Sequence, residues 1–247
     1  MPRITMSDGT EIAYRDHTAS QPRPRHQILL LHGLAGDLGE WDDLTPRLRA
    51  DGHHVVRYDA RGHGESTRRP ADVSRAACVQ DALALIEELS LAPVTLIGQS
   101  LGGHTAMLLA AAHPDLVRSL ILVEAGPAGP NPNLPSLIAS CLHDWHPLDR
   151  AVMVASISEL ATNDHWREWS AVRSPTLLVQ GENGTVRASE PADMLAGRPS
   201  TTHHTVVPDA GHDVHLDQPE HLYEAIAAFL RTPESRPADP SAAEGRQ

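Results

Sequence analysis

Three residues that lie far apart in the chain, Ser100, Glu124 and His212, are of the types that transfer acyl groups. A serine hydroxyl attacks a carbonyl carbon when a histidine takes its proton, and a carboxylate orients the histidine and stabilises its charge. Residues 98–102 read Gly-Gln-Ser-Leu-Gly, after an apolar run and before the helix-forming run 105–110. This pattern predicts a strand, a tight turn and a helix, with the Ser100 hydroxyl exposed on a strained turn.

His212 is the candidate base because it directly follows a glycine and lies after the last predicted strand. The chain has 16 histidines, so this choice depends on position rather than on residue type. Two His-x-x-His spacings, His143 with His146 and His212 with His215, lack the cysteines or carboxylates that complete a zinc site. We therefore expect no metal ion.

The composition excludes several classes of function. The formal net charge of −12 argues against a nucleic acid or an anionic membrane as a partner. All 20 residues counted as Lys or Arg are arginines. Lysine Schiff-base chemistry is therefore excluded, and we expect no pyridoxal phosphate or other cofactor. Cys78 and Cys141 form no disulfide framework. The first residues lack the apolar stretch of a signal peptide, which predicts a cytoplasmic protein.

The elements that must position these side chains alternate between strand and helix. Apolar runs predict buried strands at 27–31, 54–58, 93–97, 120–123, 175–179 and 205–207, and spaced apolar residues predict helices over 39–50 and 74–89. An Asp-Gly pair at 8–9 predicts an antiparallel hairpin. We expect an α/β fold with a mostly parallel central sheet flanked by helices. In such sheets reactive groups gather beyond the carboxyl ends of the strands. The residues just past the predicted strand ends are His32, Asp59, Ser100, Glu124, Gly181 and His212.

The alternation of strands and helices is interrupted once and then ends. We expect residues 1–126 and 173–231 to form the core of the fold. Residues 127–172 begin with a Pro- and Gly-rich stretch and are predicted to form a small helical lid. Residues 232–247 are rich in Pro, Glu, Ser and Ala, and their low apolar content predicts disorder.

Tryptophans are concentrated in the predicted lid, although Phe, Trp and Tyr together make up only 3% of the chain. Trp145, Trp166 and Trp169 either line a substrate pocket or pack the lid onto the sheet. If they line a pocket, the substrate is a small and fairly apolar molecule. The sequence does not predict the oligomeric state.

Four motifs together resemble the α/β-hydrolase superfamily. They are His32-Gly33, the turn 59–66 (Asp-Ala-Arg-Gly-His-Gly-Glu-Ser), the Gly-x-Ser-x-Gly of 98–102 and Gly211-His212. The resemblance runs from about Ile12 to Leu230, apart from the insertion. It implies that 98–102 is a nucleophile elbow and that the backbone N–H groups of Leu34 and Leu101 form an oxyanion hole. The turn 59–66 is interpreted as structural, held by its own charged residues.

The acid of the predicted triad departs from the usual superfamily pattern. Members usually carry an aspartate three residues after the glycine that ends the strand before last, and in this chain that position is Gly184. Some members, including fungal zearalenone lactonases and certain haloalkane dehalogenases, take the acid from the end of strand six, which here carries Glu124. The resemblance therefore favours Glu124, with Glu182 or an incomplete triad as alternatives. We also expect Gly184→Ala to change activity little.

The resemblance implies a serine hydrolase of the esterase or lactonase type, with the triad acid after strand six. It would cleave a carboxylic ester or lactone through an acyl-enzyme. A thioesterase, a C–C bond hydrolase or an acyltransferase uses similar groups. A ligand-binding protein that keeps the fold without turnover is a further alternative, because the usual aspartate is missing.

Overall fold

Eight strands form one sheet in the computed structural model, which describes residues 1–18, 23–127, 129–134, 136, 149–198 and 200–232. The strands are β1 (Arg3–Thr5), β2 (Glu11–His17), β3 (Gln27–Leu31), β4 (His54–Tyr58), β5 (Val94–Gln99), β6 (Val117–Val123), β7 (Thr176–Gly181) and β8 (Thr202–Val207). Their order in the sheet is β1-β2-β4-β3-β5-β6-β7-β8. β2 pairs antiparallel with β1 and β4, and the other pairs are parallel. This arrangement confirms the predicted α/β-hydrolase fold.

Helices cover both faces of the sheet. The described α-helices are α1 (Leu44–Ala50), α2 (Arg75–Glu88), α3 (Ser100–Ala112), α4 (Arg150–Ser156), α5 (Ser158–Thr162), α6 (Trp166–Ala171), α7 (Glu190–Gly197), α8 (Val214–Asp217) and α9 (Pro219–Leu230). Helices α2, α3 and α6 contribute to the apolar core on one face. Helices α1, α8 and α9 contribute to the core on the other face.

Strand β3 contributes side chains to the apolar cores on both faces of the sheet. Leu29 and Leu31 belong to one core cluster, and Ile28 and Leu30 belong to the other. Side chains alternate across a strand, so a continuous apolar run suits a strand with helices on both sides. Burying each of these side chains contributes about 1.5–3 kcal/mol.

The segment predicted as one helix over 39–50 is divided in two. A 3₁₀ turn spans Leu38–Trp41, and α1 begins only at Leu44. Asp37 caps the 3₁₀ turn by accepting a hydrogen bond from the Gly39 N–H. Pro46 has no N–H and its ring would meet the carbonyl group four residues earlier, so an α-helix can begin shortly before it but cannot continue through it.

The predicted hairpin at the first two strands is confirmed. Gly9 has a φ of +82°, and the Asp8 carboxylate accepts a hydrogen bond of 2.9 Å from the Thr10 N–H. Part of the predicted lid contains α4, α5 and α6, whereas residues 137–148 and 233–247 lie outside the described ranges. The predicted disorder of the tail stays a prediction. Among the described helices, none has the length and apolar character needed to cross a membrane.

Candidate active site

The nucleophile candidate lies on a strained backbone turn, as predicted. Strand β5 ends at Gln99 and α3 begins at Ser100, whose φ is +48°. Residues other than glycine rarely adopt this left-handed backbone conformation. The strand and helix approach closely here, since a Cβ on Gly98 would lie 2.6 Å from backbone atoms of Gly102.

Gly102→Ala is expected to destabilise the fold by about 3 kcal/mol, because overpacking of a rigid backbone contact has few ways to relax. The new Cβ would lie 2.3 Å from the Leu31 carbonyl oxygen and 2.4 Å from that of His32. In a chain of this size the loss corresponds to a fall in Tm of about 6–12 °C, measurable by thermal unfolding. Gly197→Ala is the matched control, since its Cβ has only the Trp169 Nε1 atom nearby, at 3.8 Å. A Gly102→Ala protein as stable as the Gly197→Ala protein would contradict this prediction.

His212 reaches the nucleophile from the loop between β8 and α8. Its Nε2 lies 2.9 Å from Ser100 Oγ. Gln99 donates from its side-chain amide to the His212 carbonyl oxygen at 3.1 Å, which holds this loop against the elbow. The His212 side chain remains 34% exposed, so the ring can exchange protons with substrate or water.

Glu124 lies within reach of the other imidazole nitrogen. It directly follows β6 with a φ of +49°, and its carboxylate contacts the loop after β7. The Gly181 N–H donates to Oε1 at 3.0 Å, and the Thr185 N–H donates to Oε2 at 2.7 Å. His212 Nδ1 lies 3.3 Å from Oε2. Glu182, the alternative acid, is exposed and accepts a hydrogen bond from the Asp209 N–H instead.

The Glu124 carboxylate is charged at neutral pH. Burial by itself raises the pKa of this group, because the charged form loses its water. The hydrogen bond to His212 and those from the Thr185 and Gly181 N–H groups outweigh burial, and the pKa lies below its usual value. A buried anion at this position can stabilise a protonated imidazole.

Gly184 leaves room for Glu124, the acid that follows β6. A Cβ at Gly184 would lie 2.1 Å from Glu124 Oε1 and 2.6 Å from Oε2. The carboxylate of Glu124 therefore occupies the space into which a side chain at 184 would extend. Even a methyl group there would displace the carboxylate, so on this geometry we now expect Gly184→Ala to lower activity.

Thr185 is a site residue that the sequence reasoning missed. Its Oγ1 lies 2.8 Å from His212 Nδ1 and 3.4 Å from Glu124 Oε2. A hydroxyl can accept one hydrogen bond and donate another, so Thr185 can accept from the imidazole and donate to the carboxylate. The available signal was a hydroxyl residue next to the glycine at the usual acid position.

The loop after β3 touches the nucleophile elbow. Strands β3 and β5 pair in parallel, with Leu31 opposite Gly98. A Cβ on Gly33 would lie 3.6 Å from Ser100 Cβ, which places the following residue, Leu34, next to the elbow. Leu101 is in the first turn of α3, where backbone N–H groups have no partner within the helix.

Two buried histidines fix this loop to the turn after β4. His63 Nε2 accepts a hydrogen bond of 3.0 Å from the Ala35 N–H, and His32 Nε2 accepts one of 2.9 Å from the Ala60 N–H. Burial, followed by the neighbouring His32, lowers the pKa of His63 to about 3. The ring is therefore neutral and able to accept. The turn 59–66 thus supports the loop that carries Leu34.

The charged residues of the turn 59–66 do not pair with one another. Arg61 binds Asp81 at 2.6 Å and Asp8 at 3.0 Å, both outside the turn. The Asp59 carboxylate accepts backbone hydrogen bonds from Leu38 and Glu65. The turn makes structural contacts, and the expectation that its own charges hold it is met by Asp59, which binds the Glu65 N–H, but not by Arg61.

A cleft of about 420 Å³ opens beside the nucleophile. It is lined by both polar and apolar residues. Besides Ser100 and Glu124, the lining side chains include Pro130, Leu134, Leu160, Val186, His104, Asn131, Thr185, Arg187 and Glu190. The cleft has room for a small substrate.

The two described tryptophans of the predicted lid, Trp166 and Trp169, do not line this cleft. Trp169 is 1% exposed, donates from Nε1 to the Met194 carbonyl oxygen at 3.3 Å and stacks under the guanidinium of Arg198. Trp166 packs against the same core cluster. Both therefore attach α6 to the body of the protein rather than to a substrate, and Trp145 lies outside the described residues.

Known proteins share this fold. Residues 27–157 match a family model described as the alpha/beta hydrolase fold. The sn-1-specific diacylglycerol lipase ABHD11 of Mus musculus is 30% identical, over 82% of this chain and 80% of its own. Esterase YbfF of Escherichia coli is 26% identical, over 87% of this chain and 97% of its own. The structure of a thermophilic esterase from Thermogutta terrifontis, with malate bound, has a TM-score of 0.76 and 25% identity, and the match covers 94% of this chain and 98% of that one.

Proposed function

Because the chain belongs to the α/β-hydrolase superfamily, we propose that it is a serine hydrolase that cleaves a carboxylic ester or lactone through an acyl-enzyme. The observation that carries the proposal is the hydrogen-bonded series from Ser100 through His212 to Glu124. Such a series activates a serine for attack on a carbonyl carbon. The similarity to esterases and a lipase supports esters as the substrate class.

In the proposed reaction, Ser100 Oγ attacks the ester carbonyl carbon while its proton passes to His212 Nε2. Glu124 stabilises the imidazolium, and the N–H groups of Leu34 and Leu101 bind the oxyanion. The intermediate then expels the alcohol, which takes the proton from His212 and leaves an acyl group on Ser100. A water molecule then gives a proton to His212 Nε2 while its oxygen attacks the acyl carbon. The bond to Ser100 Oγ breaks, Oγ takes the proton back from His212, and the acid is released.

The cleft supports a small substrate with both polar and apolar parts. Leu134, Leu160 and Val186 can contact carbon chains, whereas His104 and Arg187 offer polar contacts. The expectation of a fairly apolar substrate depended on tryptophans in the pocket. Since Trp166 and Trp169 pack elsewhere, an ester that carries a polar group fits the described lining better.

A fluorophosphonate probe tests the proposal directly. Wild-type protein is expected to react irreversibly with the probe and to hydrolyse p-nitrophenyl esters of short acids, because both processes need an activated serine. Mass spectrometry of peptides should place the label on Ser100. Ser100→Ala is expected to lose both labelling and turnover.

The same measurement separates the enzyme from a ligand-binding protein without turnover. Ser158→Ala is a matched control, because Ser158 is exposed on α5 and its hydroxyl donates only to the Ala155 carbonyl oxygen. This variant should label like wild type. Absence of labelling in folded wild-type protein would overturn the proposed function.

A further inference from the structure

His104 is a buried polar residue on the same helix as the nucleophile. It lies four residues after Ser100 on α3, is 5% exposed and lines the cleft. Residues four apart lie on the same face of a helix, about 6 Å apart along its axis. The imidazole is therefore one turn away from the reacting hydroxyl and on the same side of α3.

The ring of His104 lacks a partner for a buried nitrogen. Within the described ranges, no hydrogen-bonding group reaches His104 Nδ1 or His165 Nε2, although both atoms are buried. The two rings pack edge to face, with centroids 4.4 Å apart. Buried polar atoms usually have a partner, and one left without a partner costs about 1–3 kcal/mol. A ligand in the cleft can supply a partner that the described residues do not.

His104 has the right charge state for a neutral ligand. Burial, followed by His165 and Arg75, lowers the pKa of His104 well below its usual value. The neutral imidazole has one N–H donor and one acceptor nitrogen. It therefore suits an uncharged oxygen better than a carboxylate or an ammonium group.

We propose that His104 selects esters whose acyl chain carries an ether, hydroxyl or carbonyl oxygen three bonds from the reacting carbonyl carbon. This inference rests on the proposed function, because Ser100 must hold the carbonyl carbon. Three bonds and a hydrogen bond together span about one helical turn. The acyl chain is the part of the substrate in question because it stays attached to Ser100 after the alcohol has left.

Two p-nitrophenyl esters of equal chain length test the selection. The 3-methoxypropanoate differs from the pentanoate by one oxygen in place of a methylene group. For each protein we measure the ratio of kcat/KM for the methoxy ester to kcat/KM for the pentanoate. Comparing this ratio between wild type and His104→Leu cancels the different intrinsic reactivities of the two esters. The ratio should fall about tenfold in His104→Leu, which cannot hydrogen-bond to the oxygen. His104→Asn keeps a donor and should recover part of the ratio.

His113→Leu is the matched control, since it makes the same substitution at the end of the same helix and His113 does not line the cleft. Its ratio should equal that of wild type. Should leucine at 104 prevent folding, His104→Phe keeps the edge contact with His165 and gives the same comparison. Hydrolysis of both esters with equal ratios in wild type and the His104 variants would overturn this inference alone. A folded wild-type protein that hydrolyses neither ester and takes no fluorophosphonate label would overturn the proposed function as well.

Discussion

Replacing Glu124 by glutamine is expected to lower kcat for ester hydrolysis by roughly 10³–10⁴-fold, the size of effect seen when a triad acid becomes an amide. Both oxygens of the carboxylate accept backbone hydrogen bonds, Oε1 from Gly181 and Oε2 from Thr185 and Val186. An amide NH₂ group would therefore face a backbone donor in either orientation. The imidazole of His212 would lose its anion, and the loop after β7 would lose a hydrogen bond.

The measurement is steady-state kinetics with a p-nitrophenyl ester, together with thermal unfolding to separate catalysis from stability. Glu182→Gln is the matched control, because it makes the same change at an exposed carboxylate that binds the Asp209 N–H instead of His212. It should keep activity within a few-fold of wild type. Full activity in folded Glu124→Gln would remove Glu124 from the mechanism.

A double variant tests the same assignment by moving the acid. Gly184→Asp alone should be strongly impaired, because its side chain would meet the Glu124 carboxylate. In Glu124→Ala that space is empty, so adding Gly184→Asp should raise kcat at least tenfold over Glu124→Ala alone. The two changes are thus expected to be non-additive, as is usual for residues in contact. No gain in the double variant would show that the loop cannot present an acid from position 184.

Local signals were sufficient to predict the sheet, Ser100 and His212, whereas Glu124 was favoured by the resemblance to a family, with Glu182 and an incomplete triad as alternatives. Apolar runs predicted the buried strands, and glycines on either side of Ser100 predicted the elbow. The helix α9 was not predicted, although Leu222, Ile226 and Phe229 recur at helical spacing and all are buried.

Other features of the site depend on contacts between distant segments. The sequence shows that position 184 carries no acid and that position 124 does. That the Glu124 carboxylate fills the space beside Gly184 follows only from the folded loops. The hydroxyl of Thr185 was visible beside Gly184, but its contact with His212 is a property of the folded loops. Residue type alone also could not show that Trp169 faces the core while His104 faces the cleft.

The free energy of unfolding is expected to fall by several kcal/mol between pH 7 and pH 5. Four buried histidines, His26, His53, His63 and His104, are held neutral in the folded protein. Burial is the main cause, and nearby Arg118 and Arg25 add to it for His26 and His53. Together these effects lower the pKa of His26 and His53 to about 4, and burial lowers that of His63 to about 3. In the unfolded chain a histidine titrates near pH 6.5.

The direction of the effect follows from proton counting. Between pH 6.5 and pH 4 the unfolded chain binds protons that the folded protein excludes, so unfolding becomes more favourable as the pH falls. Above about pH 7.5 the rings are almost fully deprotonated in both states, and their contribution to stability does not change with pH. Each ring should cost about 1–2 kcal/mol between pH 7 and pH 5. This sum is a large share of the 5–15 kcal/mol typical of a folded domain.

Urea unfolding at pH 7, 6 and 5 measures this dependence, and His53→Gln identifies its source. His53 Nδ1 has no hydrogen-bond partner among the described residues, so glutamine removes a titrating group with little loss of hydrogen bonding. The variant should show a shallower decline than wild type, by about one quarter. His221→Gln makes the same change at an exposed position on α9 and should decline as wild type does. Equal stability of the wild type at pH 7 and pH 5 would show that the buried rings become protonated without unfolding, which would require water or a carboxylate to reach them.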